Sequence, residues 1–120
     1  MKKDNIIRDK SYAFSIRIIK AFQWIKEEKK EYVLSKQLLK SGTSIGANIE
    51  EAIGGQSSRD FFAKITIAYK EARETKYCLR LLRDTDYLSI KEAESLIKDV
   101  DELLRIIGSI QNTMKNQAEL

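Results

Sequence analysis

The sequence predicts an all-α protein, a single domain folded as an up-down antiparallel four-helix bundle. The chain has 120 residues with no proline and only five glycines, and these are the two residue types that helix interiors tolerate least. Apolar residues recur at helical spacing in four segments that are separated by short connections. Because short connections make consecutive helices run side by side in opposite directions, the four segments predict a bundle.

The first predicted helix covers residues 6–28. Its apolar side chains form a broad face, of the kind that packs against more than one neighbouring helix. The main positions of this face are Phe14, Ile18, Ala21, Phe22 and Ile25. The lysine-rich sequence KEEKKEY ends this pattern, and lysines are favourable at a helix C-terminus because they interact with the helix dipole.

The second predicted helix covers residues 34–53 and ends at two glycines. Its segment SGTSIGANIEEA places small residues where leucines are usual. Gly42 and Gly46 each cost the helix ~1 kcal/mol relative to alanine, and we expect the close approach of another helix to compensate. A kink is also predicted near these glycines, with Thr43 or Ser44 capping the second half of the helix.

The third and fourth predicted helices cover residues 59–84 and 90–114. In both, the apolar positions follow alternating steps of four and three residues, a heptad seam that is typical of bundle packing. Each helix is preceded by a serine with an acidic residue three positions later, which is the pattern of a capping box. The two pairs are Ser57 with Asp60 and Ser89 with Glu92.

Composition excludes several kinds of active site. The chain contains no histidine, which removes Ser–His and Cys–His nucleophile pairs and the histidine ligands of zinc and bundle di-iron sites. Cys78 is the single cysteine; it fits a reducing cytoplasm, and we expect it to be packed and unreactive. No apolar run has the length of a membrane span. We therefore predict a cytoplasmic protein that is not an enzyme, holds no metal or cofactor and does not enter a membrane.

Five polar residues lie beside the apolar sides of the second and third helices. They define what we call the polar seam: Ser44, Asn48, Glu51, Glu71 and Glu74. Three interpretations are open, namely a hydrogen-bonded seam within the bundle or between subunits, ordinary solvated charges, and a metal or acid–base site. The first is preferred, because buried polar groups normally satisfy one another and fix the register of packing.

Basic residues form lines on two of the helices. The basic stripe of the third helix comprises Tyr69, Arg73, Lys76, Arg80 and Arg83. The first helix carries Lys10, Arg17, Lys20 and Trp24 on its least apolar face. With a net charge of +4, cations interleaved with aromatic rings are suited to binding a phosphate backbone and its exposed bases.

Both the basic stripe and the basic face of the first helix have alternative interpretations that do not involve nucleic acid. Cations on an exposed helix face can simply be solvated or paired with neighbouring acids. Trp24 is equally suited to packing or to anchoring a protein interface. The sequence contains no helix-turn-helix, zinc-finger or RNA-binding signature that would specify a nucleic acid.

The segments QLLKSGTSIGANIEEAIGGQSSRDFF and IAYKEARETKYCLRLL resemble the four-helix bundle proteins that are also called ribosomal intervening-sequence proteins. The strong similarity covers residues 34–83, and the flanking helices fit in position and length. The positions that match the family pattern are Gln37, Leu38, Ser44, Ile45, Asn48, Ile49, Glu51, Gly54, Ser57, Phe61, Ile67, Ala68, Lys70, Glu71, Ala72, Glu74, Thr75, Tyr77 and Leu79. The family's usual glycine and tryptophan are replaced by Ala52 and Cys78, which affects any interface that uses them.

The resemblance implies a bundle that assembles into a homo-oligomeric ring, with a pentamer favoured, and that has no established enzymatic activity. Similar proteins accompany reverse transcriptases in diversity-generating retroelements, where the basic surface of the ring engages nucleic acid and the polymerase. The implied partners are therefore RNA or DNA, and a reverse transcriptase or another protein. The alternative is a protein-interaction scaffold that does not bind nucleic acid.

Overall fold

A computed structural model describes residues 2–118 and the side chains of residues 6–117. Over this range the chain forms four α-helices and no β-strand: α1 (Lys2–Lys29), α2 (Leu34–Ile53), α3 (Ser58–Asp84) and α4 (Ile90–Ala118). The predicted helices are confirmed. The first begins earlier than expected and the last ends later, because lysine, glutamine and alanine sustain a helix beyond its apolar period.

The helices pack as a bundle whose extents are 51 × 21 × 21 Å. Each helix lies beside its neighbours in sequence, α1 also lies beside α4, and within the described residues the backbones of the diagonal pairs do not approach one another closely. The core is filled mainly by leucine and isoleucine from all four helices, including Ile18, Ile45, Leu79 and Leu96. Over the range that the structure covers, none of the helices is long and apolar enough to cross a membrane.

The glycines of α2 lie against α1. A Cβ added at Gly42 would be 2.8 Å from Cγ2 of Ile18, and one added at Gly46 would be 3.2 Å from Oγ of Ser15. Real Cβ atoms essentially never approach a neighbour as closely as the first of these distances. The expected close approach of another helix is therefore confirmed, and α1 is the helix that approaches.

The predicted cap inside α2 is wrong, because α2 runs without a break from Leu34 to Ile53. The two hydroxyl groups that were expected to cap a second half donate instead to carbonyl oxygens one turn back. Thr43 Oγ1 bonds the carbonyl of Leu39 at 2.7 Å, and Ser44 Oγ bonds the carbonyl of Lys40 at 2.6 Å. Such bonds satisfy the hydroxyl within a continuous helix.

Three helix starts are fixed by side chains. The backbone amides of Asp60 and Glu92 donate to the Oγ atoms of Ser57 and Ser89, both at 3.1 Å, which confirms the serine half of each predicted cap. The start of α2 has a cap that the sequence pattern did not reveal. The Glu31 carboxylate accepts from the backbone amides of Leu34 and Ser35 at 3.0 and 2.8 Å.

Candidate nucleic-acid interface

The candidate cations of α1 contact acids of α4. The Arg17 guanidinium donates to Asp99 at 2.6 Å, to Glu92 at 3.1 Å and to the Ser95 hydroxyl at 3.0 Å. Lys10 lies farther along the same side of α1 and pairs with Glu102 at 3.2 Å. These cations therefore link α1 to α4 across the bundle surface.

Two cations of the basic stripe make the same kind of contact from the other side of α4. Lys76 pairs with Asp101 at 2.8 Å, and Arg83 pairs with Glu94 at 2.9 Å. Arg83 also bonds Asp84 at 2.8 Å. The hydrogen bonds that Arg83 donates to Asp84 and then to Glu94 raise the pKa of Arg83, and the bond from Arg83 lowers the pKa of Asp84.

The acids of α4 thus form two rows, one facing α1 and the other facing α3. They neutralise four of the predicted nucleic-acid contacts, Lys10, Arg17, Lys76 and Arg83. These acids were missed in the sequence, although their spacing carries a signal. Within each row, acids recur seven residues apart, as in Glu92 with Asp99 and Glu94 with Asp101.

Three candidate cations remain without such a partner. Lys20, Arg73 and Arg80 are exposed, and in the described part of the chain none of them has an acidic oxygen within ion-pair distance. Arg73 and Arg80 share the α4 side of α3 with the paired cations, whereas Lys20 lies on α1. Tyr69, the aromatic member of the basic stripe, is half-buried and packs against the core, so its ring is less accessible than the pattern predicted.

Within one chain, the polar seam residues of α2 bond mainly to their own helix. The Asn48 amide donates to the carbonyl of Ser44 at 2.8 Å, and the hydroxyl of Ser44 bonds one turn back. Glu51 is exposed and pairs with Lys64 of α3 at 2.9 Å. Contact of these residues with another subunit stays a prediction.

On α3, two carboxylates of the polar seam are neighbours. Glu71 is half-buried and Glu74 is exposed. Burial raises the pKa of Glu71, and the nearby Glu74 carboxylate raises it further through charge repulsion and a side-chain hydrogen bond. Among the described residues, no group of histidine, cysteine, aspartate or glutamate side chains is arranged to hold a metal ion.

The buried polar contact between α2 and α3 is made by two residues outside the polar seam, Ser41 and Thr75. The hydroxyls of Ser41 and Thr75 share a hydrogen bond at 3.0 Å, and both residues are buried. Thr75 Oγ1 also lies within hydrogen-bond distance of the carbonyl of Glu71, at 2.7 Å. The helical spacing of Ser41 with Ser44 and Asn48 indicated a polar line, but the partner was hidden because Thr75 occupies an apolar heptad position.

The family model of the 23S rRNA-intervening sequence proteins matches residues 3–109 of the chain. The chain belongs to this family. A solved structure of a protein with unknown function from the S23 ribosomal protein family of Bacteroides thetaiotaomicron is similar to this family member, with 47% sequence identity and a TM-score of 0.90. The alignment covers 92% of this chain and 98% of the Bacteroides chain. No curated protein matches the chain.

Proposed function

We propose that this protein is a non-enzymatic, homo-oligomeric helical bundle that binds RNA or DNA through a basic surface, as an accessory subunit of a ribonucleoprotein. The observation that carries the proposal is the set of exposed cations on both sides of α4, Lys20 on α1 and Arg73 and Arg80 on α3. In a chain with a net charge of +4, these cations are available to release counterions from a phosphate backbone.

The ion pairs of α4 favour some cations of this surface over others as phosphate contacts. Lys10, Arg17, Lys76 and Arg83 each have an acidic partner at 3.2 Å or less, so a phosphate would have to compete with that partner. Unpaired cations pay no such cost. We therefore assign the main phosphate contacts to Lys20, Arg73 and Arg80, and we give the paired cations a structural role.

A mobility-shift experiment at several salt concentrations tests the proposal. Replacing both Arg73 and Arg80 by alanine is expected to weaken binding of RNA or DNA and to reduce the slope of log affinity against log salt by about 2, because about one counterion is released per phosphate contact. The matched control is the Lys36→Ala/Lys40→Ala variant, which removes two exposed charges from α2. Wild-type affinity in the arginine variant would count against this surface.

Self-association is the second part of the proposal, with a pentameric ring favoured. A closed ring requires a heterologous interface, in which two different faces of the chain meet. Two such faces are available. One is apolar, on α1, with Tyr12, Ile16 and Ile19 exposed; the other is the polar seam together with the exposed Ile67.

The alternative function is a protein-interaction scaffold. The exposed apolar side chains of α1 favour it, because Tyr12 is 67% exposed and lies one turn from Ile16, and such residues are enriched in protein interfaces. A pull-down with the tagged protein separates the two functions. Retention of a reverse transcriptase or another protein after nuclease treatment supports the scaffold, and its loss supports binding through nucleic acid.

A further inference from the structure

Trp24, the only tryptophan of the chain, is 45% exposed on α1. It forms one wall of a cleft of about 300 Å³ between α1 and the start of α4. The other lining residues are Arg17, Lys20, Ala21, Leu88 and Glu92. A large aromatic ring that is left half in water at the wall of a cleft suggests contact with another molecule.

Two lysines lie near the ring. Lys20 lies one helical turn before Trp24 and also lines the cleft. The Nζ atom of Lys29 lies 5.8 Å from the centre of the Trp24 ring, within the range of a cation–π contact. Arg17 completes the basic side, and its bonds to Asp99 and Glu92 hold it in place.

The acid in the cleft is already engaged. Glu92 accepts a hydrogen bond from Arg17 at 3.1 Å, so Lys20 and Lys29 remain as the cations available to a ligand. The largest apolar residue of the lining besides Trp24 is Leu88, which is itself buried. Trp24 therefore borders a cleft in which Arg17 and Glu92 are paired with each other and Lys20 is left unpaired, instead of an extended apolar patch, which favours an anionic ligand with a planar ring over an apolar protein surface.

We propose that the Trp24 cleft binds an unpaired nucleotide of single-stranded RNA or DNA. The base stacks on the Trp24 indole, and the flanking phosphates contact Lys20 and Lys29. Stacking of this kind needs an exposed base face, which a base-paired duplex does not offer. The inference rests on the proposed nucleic-acid function and specifies the form of nucleic acid that the α1 side of α4 recognises.

The single tryptophan gives a direct readout. The full-length protein is titrated with oligouridine, with oligodeoxyuridine, with a duplex of the same length and with inorganic polyphosphate, while tryptophan fluorescence is recorded. We expect saturable quenching by the single strands and little by the duplex or by polyphosphate. The stronger of the two single strands identifies RNA or DNA as the source of the nucleotide.

Variants test the same cleft without fluorescence. In a mobility-shift assay, Trp24→Ala is expected to weaken single-strand binding on the order of tenfold, and Trp24→Phe to retain part of the lost affinity because phenylalanine still stacks. The matched control is Tyr32→Ala, which removes an exposed aromatic ring from the connection between α1 and α2 and is expected to bind as the wild type does.

The outcomes distinguish this inference from the proposed function. If single strands bind but do not quench fluorescence, and Trp24→Ala binds like the wild type, the Trp24 cleft is overturned while the basic surface stands. Equal quenching by polyphosphate or by the duplex also overturns base stacking. If no nucleic acid binds under low salt, the proposed function fails and the cleft assignment fails with it.

Discussion

At Gly42 the backbone of α2 passes so close to α1 that an added methyl group would lie 2.8 Å from Cγ2 and 2.9 Å from Cγ1 of Ile18. Ile18 is fully buried, and its branched side chain has little freedom to move away. The low helix propensity of glycine is therefore offset at this position by close packing of two helices.

Gly42→Ala is expected to lower the free energy of unfolding by about 1–3 kcal/mol, because overpacking outweighs the gain in helix propensity. Urea denaturation measures the change. Gly108→Ala is the matched control, since its Cβ would lie at an ordinary contact distance of 3.7 Å from Cε1 of Tyr69. That variant should be unchanged or more stable by up to ~1 kcal/mol. Equal behaviour of the two variants would contradict the packing argument.

Cys78 is buried, and its thiol contacts the carbonyl of Leu34 at 3.5 Å. Burial, followed by the charges of Glu31 and Glu74, raises the pKa of the thiol from 9.0 to about 11. At pH 8 the thiolate fraction is then on the order of one in a thousand. A thiol reagent should label the native protein much more slowly than the protein in urea, and fast native labelling would contradict the burial of Cys78.

The raised pKa of Cys78 makes the free energy of unfolding depend on pH. Between about pH 9 and 11 the unfolded thiol loses its proton while the folded thiol keeps it, so the folded state binds more protons and the free energy of unfolding falls as pH rises. The Cys78→Ala variant should lose this part of the slope. The comparison with the wild type over this range isolates the contribution of the thiol.

At the scale of the elements, the interface of α2 and α3 contains a buried polar pair in an otherwise apolar setting. Ser41 and Thr75 satisfy each other at 3.0 Å, and in the described residues no buried side-chain nitrogen or oxygen lacks a partner. Removing the Thr75 hydroxyl leaves Ser41 only a long contact with the carbonyl of Leu38 at 3.5 Å, and water cannot replace the lost partner at a buried site.

Thr75→Val keeps the shape of the side chain and is expected to lower the free energy of unfolding by about 1–3 kcal/mol. Ser41→Ala should lower the free energy of unfolding less in the Thr75→Val background than in the wild type, because the Ser41 hydroxyl has already lost its Thr75 partner in that background. The double-mutant cycle measures this coupling. Thr66→Val is the control, since Thr66 is exposed on the same helix, and we expect a change within about 0.5 kcal/mol. Additive losses for Ser41 and Thr75 would argue against the pair.

The interfaces of α4 differ from this one, because their polar contacts lie at the surface. Exposed ion pairs contribute about 0–1 kcal/mol each, so Lys10, Arg17, Lys76 and Arg83 add little to stability individually. The main effect of the ion pairs is that acids of α4 neutralise cations that the sequence pattern assigned to nucleic acid. The fold itself depends on the core, to which all four helices contribute.

At the scale of the whole molecule, the residues of the polar seam are the ones whose substitution tests the proposed contact between subunits. In one chain Asn48 bonds within α2, and Glu74 is exposed, so neither side chain is essential to the isolated bundle. A role in the contact between subunits would explain why both belong to the family pattern.

Asn48→Leu and Glu74→Leu are each expected to alter the oligomeric state or to lower stability by about 1–3 kcal/mol, because buried polar partners in the neighbouring subunit would be stranded. Sedimentation measures the mass and thermal melting the stability. Glu50→Leu is the control, since Glu50 is exposed on α2 outside the polar seam. Wild-type sedimentation and melting of both seam variants would remove the polar seam from the interface.

The amino-acid sequence alone determined the four helices, the serine caps at the starts of α3 and α4 and the need for close packing at Gly42 and Gly46. These features are encoded locally, because periodicity, capping and glycine content act within a few turns of one helix. The same local signals supported the family resemblance, which the family match over residues 3–109 confirms. The cap predicted inside α2 failed for a local reason too, since a hydroxyl can bond one turn back as readily as it can cap.

Only the tertiary structure decided which polar groups are free. Arg17 meets Asp99 and Glu92 across 82 and 75 positions of the chain, and Ser41 meets Thr75 across 34. No spacing within a single helix reveals such partners, because they depend on which helices become neighbours and in what register. The tertiary contacts therefore separated the unpaired Lys20, Arg73 and Arg80 from the cations that are paired with acids of α4.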